Sequence, residues 1–425
     1  MSPLDSYRRL FGLTGPAYVV VAFIARLPLA MSQLGTLLLV SGTTGSYGAG
    51  GAAAGALAVA NAVGAPVWGG WADRFGQRRV IAVQSVVGSA GLTALLLIAN
   101  SAAPWGWSAV ASAVTGLFLP QVGPMARVRW RPIASRAGRA QPRLVETAFS
   151  YEGAADEASF VLGPAVVGLV ISVANPTAAL GVAAALLAAF GTWFALHDTA
   201  VLAHAVARHG GPHERGRLLT AGLVLLCASQ FVIGTVFGSV QTGTSVLATD
   251  DGQPGLTGYL HALLGVGSVL AGLAMAALPP TWALPSRLRW LAVLLLALSV
   301  PLLLVGSVGT LVPVLLALGV SVAPYMITTF TLGERITPPT RVGAAMTLLA
   351  AATGLGYAVG AAVAGRLADW GGHTPAYAVT VAAGALAVAI SWSGAPLLGR
   401  QPIASGGRAR TPAAPESRPS GIPLD

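Results

Sequence analysis

Four stretches of the chain run for 40 residues or more without one Asp, Glu, Lys or Arg: Leu27–Ala72, Val80–Ala126, Ala158–His197 and Trp290–Gly333. Soluble domains are near a quarter charged and do not carry such runs. Here charged residues make up only 9% of the 425, apolar ones 55%, and mean hydropathy is +0.73. The same numbers exclude disorder for all but the last stretch. What remains is an integral membrane protein with many helical spans of about 20 residues each.

Each of the four runs is too long for one span and contains a turn signal: Ser41–Gly45, Asn100–Pro104, Asn175–Pro176 and Gly306–Gly309. Each therefore reads as a helical hairpin. Leu218–Thr249, Gly252–Ser286, Val342–Gly365 and Trp370–Gly399 add one helix apiece. The expected fold is all-α, with twelve transmembrane helices at 16–40, 48–71, 80–99, 106–126, 146–173, 177–196, 218–247, 256–278, 288–306, 310–332, 342–365 and 375–397.

Sidedness follows from the 24 basic residues, all of them Arg. With the N-terminus inside, 22 fall in inner segments, Arg366 lies outside and Arg26 lies within a span. The positive-inside rule then puts both termini in the cytoplasm. The longest mid-chain polar interruption, His197–Arg217, separates six helices from six. It implies two six-helix bundles at 1–200 and 218–399 with a pathway between them. A cytoplasmic linker at 201–217 and a disordered cytoplasmic tail at 400–425 complete the organisation.

Several function classes drop out. The pI of 10.7 is no nucleic-acid signal, because the arginines are spread in small groups between apolar runs. The single Cys227 permits no intramolecular disulfide. His197, His204, His209 and His213 read as a solvated linker, lacking the tighter spacing of a metal site. No phosphate loop, nucleotide fingerprint or nucleophile elbow occurs, so ATP-driven transport is not expected; the expectation is a chain that is not an enzyme and needs no cofactor.

Between the second and third spans stands Gly69-Gly70-Trp71-Ala72-Asp73-Arg74-Phe75-Gly76-Gln77-Arg78-Arg79. Gly69 and Gly76 permit close backbone approach and a tight turn. Asp73 can hold nearby arginines and sit at the positive N-terminus of a neighbouring helix, forming a latch that exists only when that side is shut. The string resembles the cytoplasmic signature of the major facilitator superfamily, G-x-L-A-D-R-x-G-R-[RK], with Trp71 for the usual Leu and Gln77 for the first basic residue. In span five, Gly163-Pro164 with Gly168 resembles the G-x-x-x-G-P-x-x-G-G motif of that superfamily's exporters, Ser159 and Val167 replacing two glycines. Such a motif implies a pliable helix; a plain packing kink is the alternative. The strings Arg26-Leu27-Pro28, Thr44-Gly45-Ser46-Tyr47, Ala126–Trp130 and Asp156–Pro164 are similar to an actinobacterial branch of drug-exporter-like members.

Charges within the spans are the remaining candidates. Arg26 lies about ten residues, ~15 Å, into span one, and Glu157 lies at similar depth in span five. Each buried charge costs about 2.5–3.5 kcal/mol, so Arg26 is expected to pair with Glu157 or Asp156. That carboxylate is either a proton site or half of a structural ion pair. Glu152 and Asp156 share a helix face, and Glu152 reads as the more solvated of the two. By the superfamily's architecture, spans 1, 4, 7 and 10 line the central cavity, offering Arg26, Gln33, Gln121, Gln230, Gln241 and Tyr325. Each could equally be a helix–helix hydrogen bond. Gly51 and Gly55, with Gly356 and Gly360, are small-residue faces of the two spans expected to meet across the seam. The expectation is a monomeric secondary transporter of the cell membrane that exports a small hydrophobic or amphipathic organic compound against protons. An importer or uniporter of a metabolite is the rival reading, with a polytopic membrane enzyme or a transport-inactive sensor as further alternatives.

Overall fold

The computed structural model describes residues 3–45, 47–203, 218–253, 256–279 and 281–394. The expected linker from 204 onward, with His204, His209 and His213, and the expected tail lie outside them. Described secondary structure is wholly helical: α1 (Pro3–Ile24), α2 (Leu27–Thr44), α3 (Tyr47–Phe75), α4 (Gln77–Ala99), α5 (Trp105–Phe118), α6 (Val122–Ile133), α7 (Gln141–Val173), α8 (Pro176–Leu186), α9 (Thr192–Leu196), α10 (Ala221–Asp250), α11 (Thr257–Ala274), α12 (Leu284–Ser299), α13 (Val308–Ile336), α14 (Val342–Gly371) and α15 (His373–Ser393). Short 3-10 and π turns join some of them. Eleven stretches are long and apolar enough to cross a membrane. One of these, Trp105–Val173, runs 69 residues through α5, α6 and α7.

Turn chemistry sets the boundaries. Gly45 closes α2 at φ 68° and Gly76 separates α3 from α4 at φ 90°, both in the region that favours glycine. Asn175 caps α8 by accepting from the Ala178 N–H, with Pro176 following, and Ser307 caps α13 in a capping box with Thr310. The outer surface is apolar, as a lipid-facing surface requires. Leu97, Val173, Leu304 and Trp370 are each more than two-thirds exposed.

Two of the expected spans are broken. The span at 16–40 is part of a 41-residue stretch from Leu4 to Thr44 that turns at Ala25–Arg26. The bend leaves the carbonyl of Ala22 without its i+4 amide, because the Arg26 N–H bonds Phe23 instead, and Pro28 in the first turn of α2 brings no N–H of its own. The Arg26 guanidinium fills the gap, its Nη1 donating to Ala22 O at 2.7 Å. The span at 106–126 divides at Leu119-Pro120-Gln121, where a proline ends α5. The Gly51 and Gly55 face meets nothing, and Gly356 and Gly360 pack against the α10 backbone at Phe231 and Thr235 rather than across to α3. Gly234 and Gly238 return the contact from α10, and Gly267 with Gly319 does the same between α11 and α13. Bare backbones thus fit against each other inside the C-terminal set.

The helices before residue 204 and those after 217 meet along α3 against α14 and along α7 against α11 and α13. Hydrogen bonds and ion pairs joining the two sets cluster at one end of the molecule, where α3, α6 and α13 finish and α7 and α14 begin. Arg131 pairs with Glu334, Arg335 with Glu146, and Arg143 donates to Leu278 O and Ala276 O at 2.8 and 2.7 Å. Tyr7 adds a bond to Leu273 O at 2.8 Å.

Candidate functional site

Asp73 lies at that joined end. Its two carboxylate oxygens accept from the backbone N–H groups of Gly343 and Ala344, both at 2.9 Å. These amides belong to the first turn of α14, so charge-assisted bonds and the helix dipole act together. Crossing this closely requires glycine. A Cβ on Gly69 would fall 2.8 Å from Gly343 O, and one on Gly343 would strike the Asp73 carboxylate. No described arginine forms a direct ion pair with Asp73, and Arg341 acts on its charge without touching it. Arg74, Arg78 and Arg79 are exposed, and Arg74 lies over the Phe75 ring at 5.1 Å.

The departure at Gln77 has a physical partner. Arg129 is fully buried, donates from Nε to Gln77 Oε1 at 2.8 Å and from Nη1 to Phe194 O and Thr199 Oγ1 at 3.0 Å, and stacks 3.7 Å from the Phe194 ring. Gln77 in turn donates to Met125 O at 3.2 Å. A basic residue at 77 would face another guanidinium.

Deeper in the N-terminal set lies a cluster of four charges. Asp156 accepts from Arg26 Nε at 3.0 Å with one oxygen and from Arg127 Nη1 at 2.7 Å with the other. Arg26 also pairs with Glu152, whose second oxygen accepts from Trp130 Nε1 at 2.6 Å. Glu152 and Asp156 act from the one helix face that their spacing gives them. The expected pairing of Arg26 with Glu157 or Asp156 is met by Asp156, and the expectation for Glu152 is corrected. Glu152 is fully buried rather than solvated, because Arg26 reaches it from the bend between α1 and α2. Glu157 is turned away from Arg26, about 100° round the helix from Asp156. It is buried, faces Ser268 of α11, and pairs with no described cation. Arg127, Arg129 and Trp130 fall in the inner segment between the expected spans 106–126 and 146–173, yet they are buried on α6. The signal available was Arg127 and Trp130 three apart on one helix face.

Gly163 packs against Ala30 of α2 with no room for a Cβ, whereas Gly168 meets nothing. α7 runs unbroken through Pro164. Of the residues assigned to the cavity, four bond to neighbouring helices within their own set. Gln121 donates to Asn61 at 2.6 Å, Gln230 accepts from Thr353 at 3.1 Å, Gln241 accepts from Tyr357, and Tyr325 lies 3.4 Å from Ser391 Oγ. Gln33 is exposed.

A helical membrane bundle with a charged interior and an aspartate-to-helix contact between its two sets defines a class, and comparison gives the family. The Major Facilitator Superfamily model matches residues 18–332. The chain belongs to the Major Facilitator Superfamily, a family of membrane transporters. Its fold is similar to that of the human organic anion transporter MFSD10 (TETRAN), at 17% identity and a TM-score of 0.68 over 88% of this chain and 98% of that one. It is likewise similar to a bacterial homologue of the iron transporter ferroportin in its outward-facing state (16%, TM-score 0.65, 88% and 98%). The proton:xylose symporter XylE bound to 6-bromo-6-deoxy-D-glucose is a third such structure (12%, TM-score 0.65, 89% and 95%). No curated protein matches the chain.

Proposed function

We propose that the chain is a proton-coupled exporter of a small hydrophobic or amphipathic organic compound in the cytoplasmic membrane. It crosses twelve times, with α5 and α6 forming one crossing and α7 the next, as two six-helix bundles with both ends inside. The arginine distribution supports this orientation and makes the Asp73 end the cytoplasmic one. The observation that carries the reading is the gathering of polar bonds between the two sets at that end, with Asp73 on the N-terminus of α14. Breaking those bonds and opening that end is one half of an alternating-access cycle.

Glu157 is the proposed proton carrier. A buried carboxyl with a hydroxyl beside it and no cation, on the helix that meets the opposite set, is placed to exchange a proton as water reaches or leaves the seam. The Arg26, Glu152, Asp156 and Arg127 cluster holds the bend between α1 and α2 against α6 and α7 beside the cavity. Within that cavity Arg26 and Gln33 remain the candidates for contact with substrate. The test is a set of everted vesicles carrying the protein and energised to an acidic lumen. Release of protons on adding ethidium, rhodamine 6G or 1-naphthoate is expected. Substrate movement that is independent of the proton gradient, or directed only toward the original cytoplasmic face, would favour the importer or uniporter.

A further inference from the structure

The arginines at the Asp73 end are of two kinds. Arg131 and Arg335 are each paired with a glutamate, and Arg143 donates to the carbonyls of Leu278 and Ala276. Arg74, Arg78 and Arg79 are exposed and form no ion pair with a described residue. The sequence around them offers no partner. Asp73 is the one carboxylate between Asp5 and Glu146, and both of its oxygens are committed to the first turn of α14. Three positive charges within six residues repel one another, and an anion set among them relieves that repulsion.

Their position decides what kind of anion suits them. The apolar stretches Ala49–Phe75 and Gln77–Ala99 are separated by Gly76 alone, so this corner stands at the edge of the hydrocarbon, where headgroups begin. Aromatic rings stand beside it. Trp71 and Phe75 lie one turn apart on α3, and each is 48% exposed. Trp71 meets Trp68 edge-on at 5.0 Å, and Trp68 is itself held by donating from Nε1 to Leu117 O at 2.7 Å. Arg74 lies over the Phe75 ring at 5.1 Å, a contact that uses the guanidinium's charge and none of its N–H donors. At position 71 the resembling signature has Leu; here the ring is one that favours the headgroup boundary. A soluble anion would engage the arginines and leave both rings idle. A phospholipid engages both, phosphate on guanidinium and acyl chain on ring.

We infer that the corner between α3 and α4 binds an anionic phospholipid of the leaflet at the Asp73 end, its phosphate held by Arg74, Arg78 and Arg79 and its chains lying along Trp71 and Phe75. A zwitterionic lipid carries its own cation to the same place, so the corner favours a headgroup with net negative charge.

The test is native mass spectrometry of the purified full-length protein from micelles holding equimolar phosphatidylglycerol and phosphatidylcholine with the same acyl chains. Retention of phosphatidylglycerol at least about fivefold above phosphatidylcholine is expected. Arg74→Gln, Arg78→Gln and Arg79→Gln combined are expected to bring the two within about twofold. Trp71→Leu is expected to weaken retention of both lipids while keeping the preference, because the ring meets chains that the two share. Arg136→Gln with Arg139→Gln removes two exposed charges from the connection between α6 and α7 at the same end, and is expected to leave the ratio unchanged. Should the triple variant not elute as a folded species, Arg78→Gln alone replaces it, with an expected fall in the ratio of about twofold. Equal retention of the two lipids by the unaltered protein, or an unaltered ratio in the Arg74, Arg78 and Arg79 variants, would overturn the assignment. An equal fall in the Arg136 and Arg139 variant would do the same, since it would trace the preference to the summed charge of this end. Displacement of the bound lipid by excess glycerol phosphate would also overturn it, giving the arginines to a soluble anion.

Discussion

Gln77 and Arg129 are bound to each other at 2.8 Å inside the N-terminal set, joining the start of α4 to α6. The relationship explains why a position that is basic in the resembling signature is an amide here. Gln77 accepts from the buried guanidinium with its oxygen and returns a bond to Met125 with its nitrogen.

Replacing Gln77 with Arg would therefore restore the signature and damage the protein. Two guanidiniums would meet in a buried site with no carboxylate for the second, at a cost of about 3–5 kcal/mol. The expected outcome is a lower melting temperature and poor recovery of folded protein, measured by thermal shift in detergent. Gln77→Glu, which supplies a counter-charge to Arg129, is expected to retain or raise stability.

Asp73→Asn keeps the size of the side chain and removes its charge. One of the two bonds to the α14 amides becomes impossible for the carboxamide nitrogen, and the dipole interaction goes too. About 1–3 kcal/mol of closure at that end is expected to be lost. Faster hydrogen exchange at Gly343 and Ala344 is the readout. Arg74→Ala, in contrast, should leave that exchange within twofold, since Arg74 is exposed and does not pair with Asp73.

Glu157→Gln and Glu152→Gln should fail in different ways. The first removes the proposed proton carrier without breaking an ion pair. Folded protein is expected at wild-type yield, with substrate flux no longer driven by a pH gradient. The second takes a carboxylate from Arg26 and leaves a buried charge underpaired, costing about 3–5 kcal/mol. Its signature is a fall in thermal stability that accompanies any loss of flux. Full pH-driven flux in Glu157→Gln would remove the residue from the mechanism.

How much of this could be read beforehand depended on whether a residue's partner was near in sequence or only in space. The Asp73 string announced itself, because its glycines and carboxylate lie within a few residues of one another. Turn residues such as Asn175 and Ser307 act on backbone three positions away, and they too were legible. Glu152 and Asp156 were placed on one face by helical spacing alone. What that spacing could not give was the direction of Arg26, which depends on the bend ahead of Pro28. The arginines from 127 to 143 look like a cytoplasmic loop when counted, and only the fold reveals Arg127 and Arg129 inside helix α6. The glutamines read as cavity contacts because their partners, Asn61, Thr353 and Tyr357, lie tens of residues away in the chain or more.

The glycines separate in the same way. Gly234→Ala would drive a methyl into the Thr353 carbonyl of α14, a backbone atom that cannot rotate aside. A loss of about 1–3 kcal/mol or more is expected. Gly51→Ala, where the added carbon meets nothing, should be neutral or stabilising by up to about 1 kcal/mol through better helix propensity. Parallel melting curves of the two variants would check the contrast.

The cluster around Asp156 contains two guanidiniums and two carboxylates, so its formal charges cancel. Shifting such a balanced quartet rigidly along the bilayer normal does no net electrical work in a uniform field. Voltage sensitivity of the transport cycle then has to come from turning or rearranging these four residues, from what they bind or release, or from charges elsewhere in the chain.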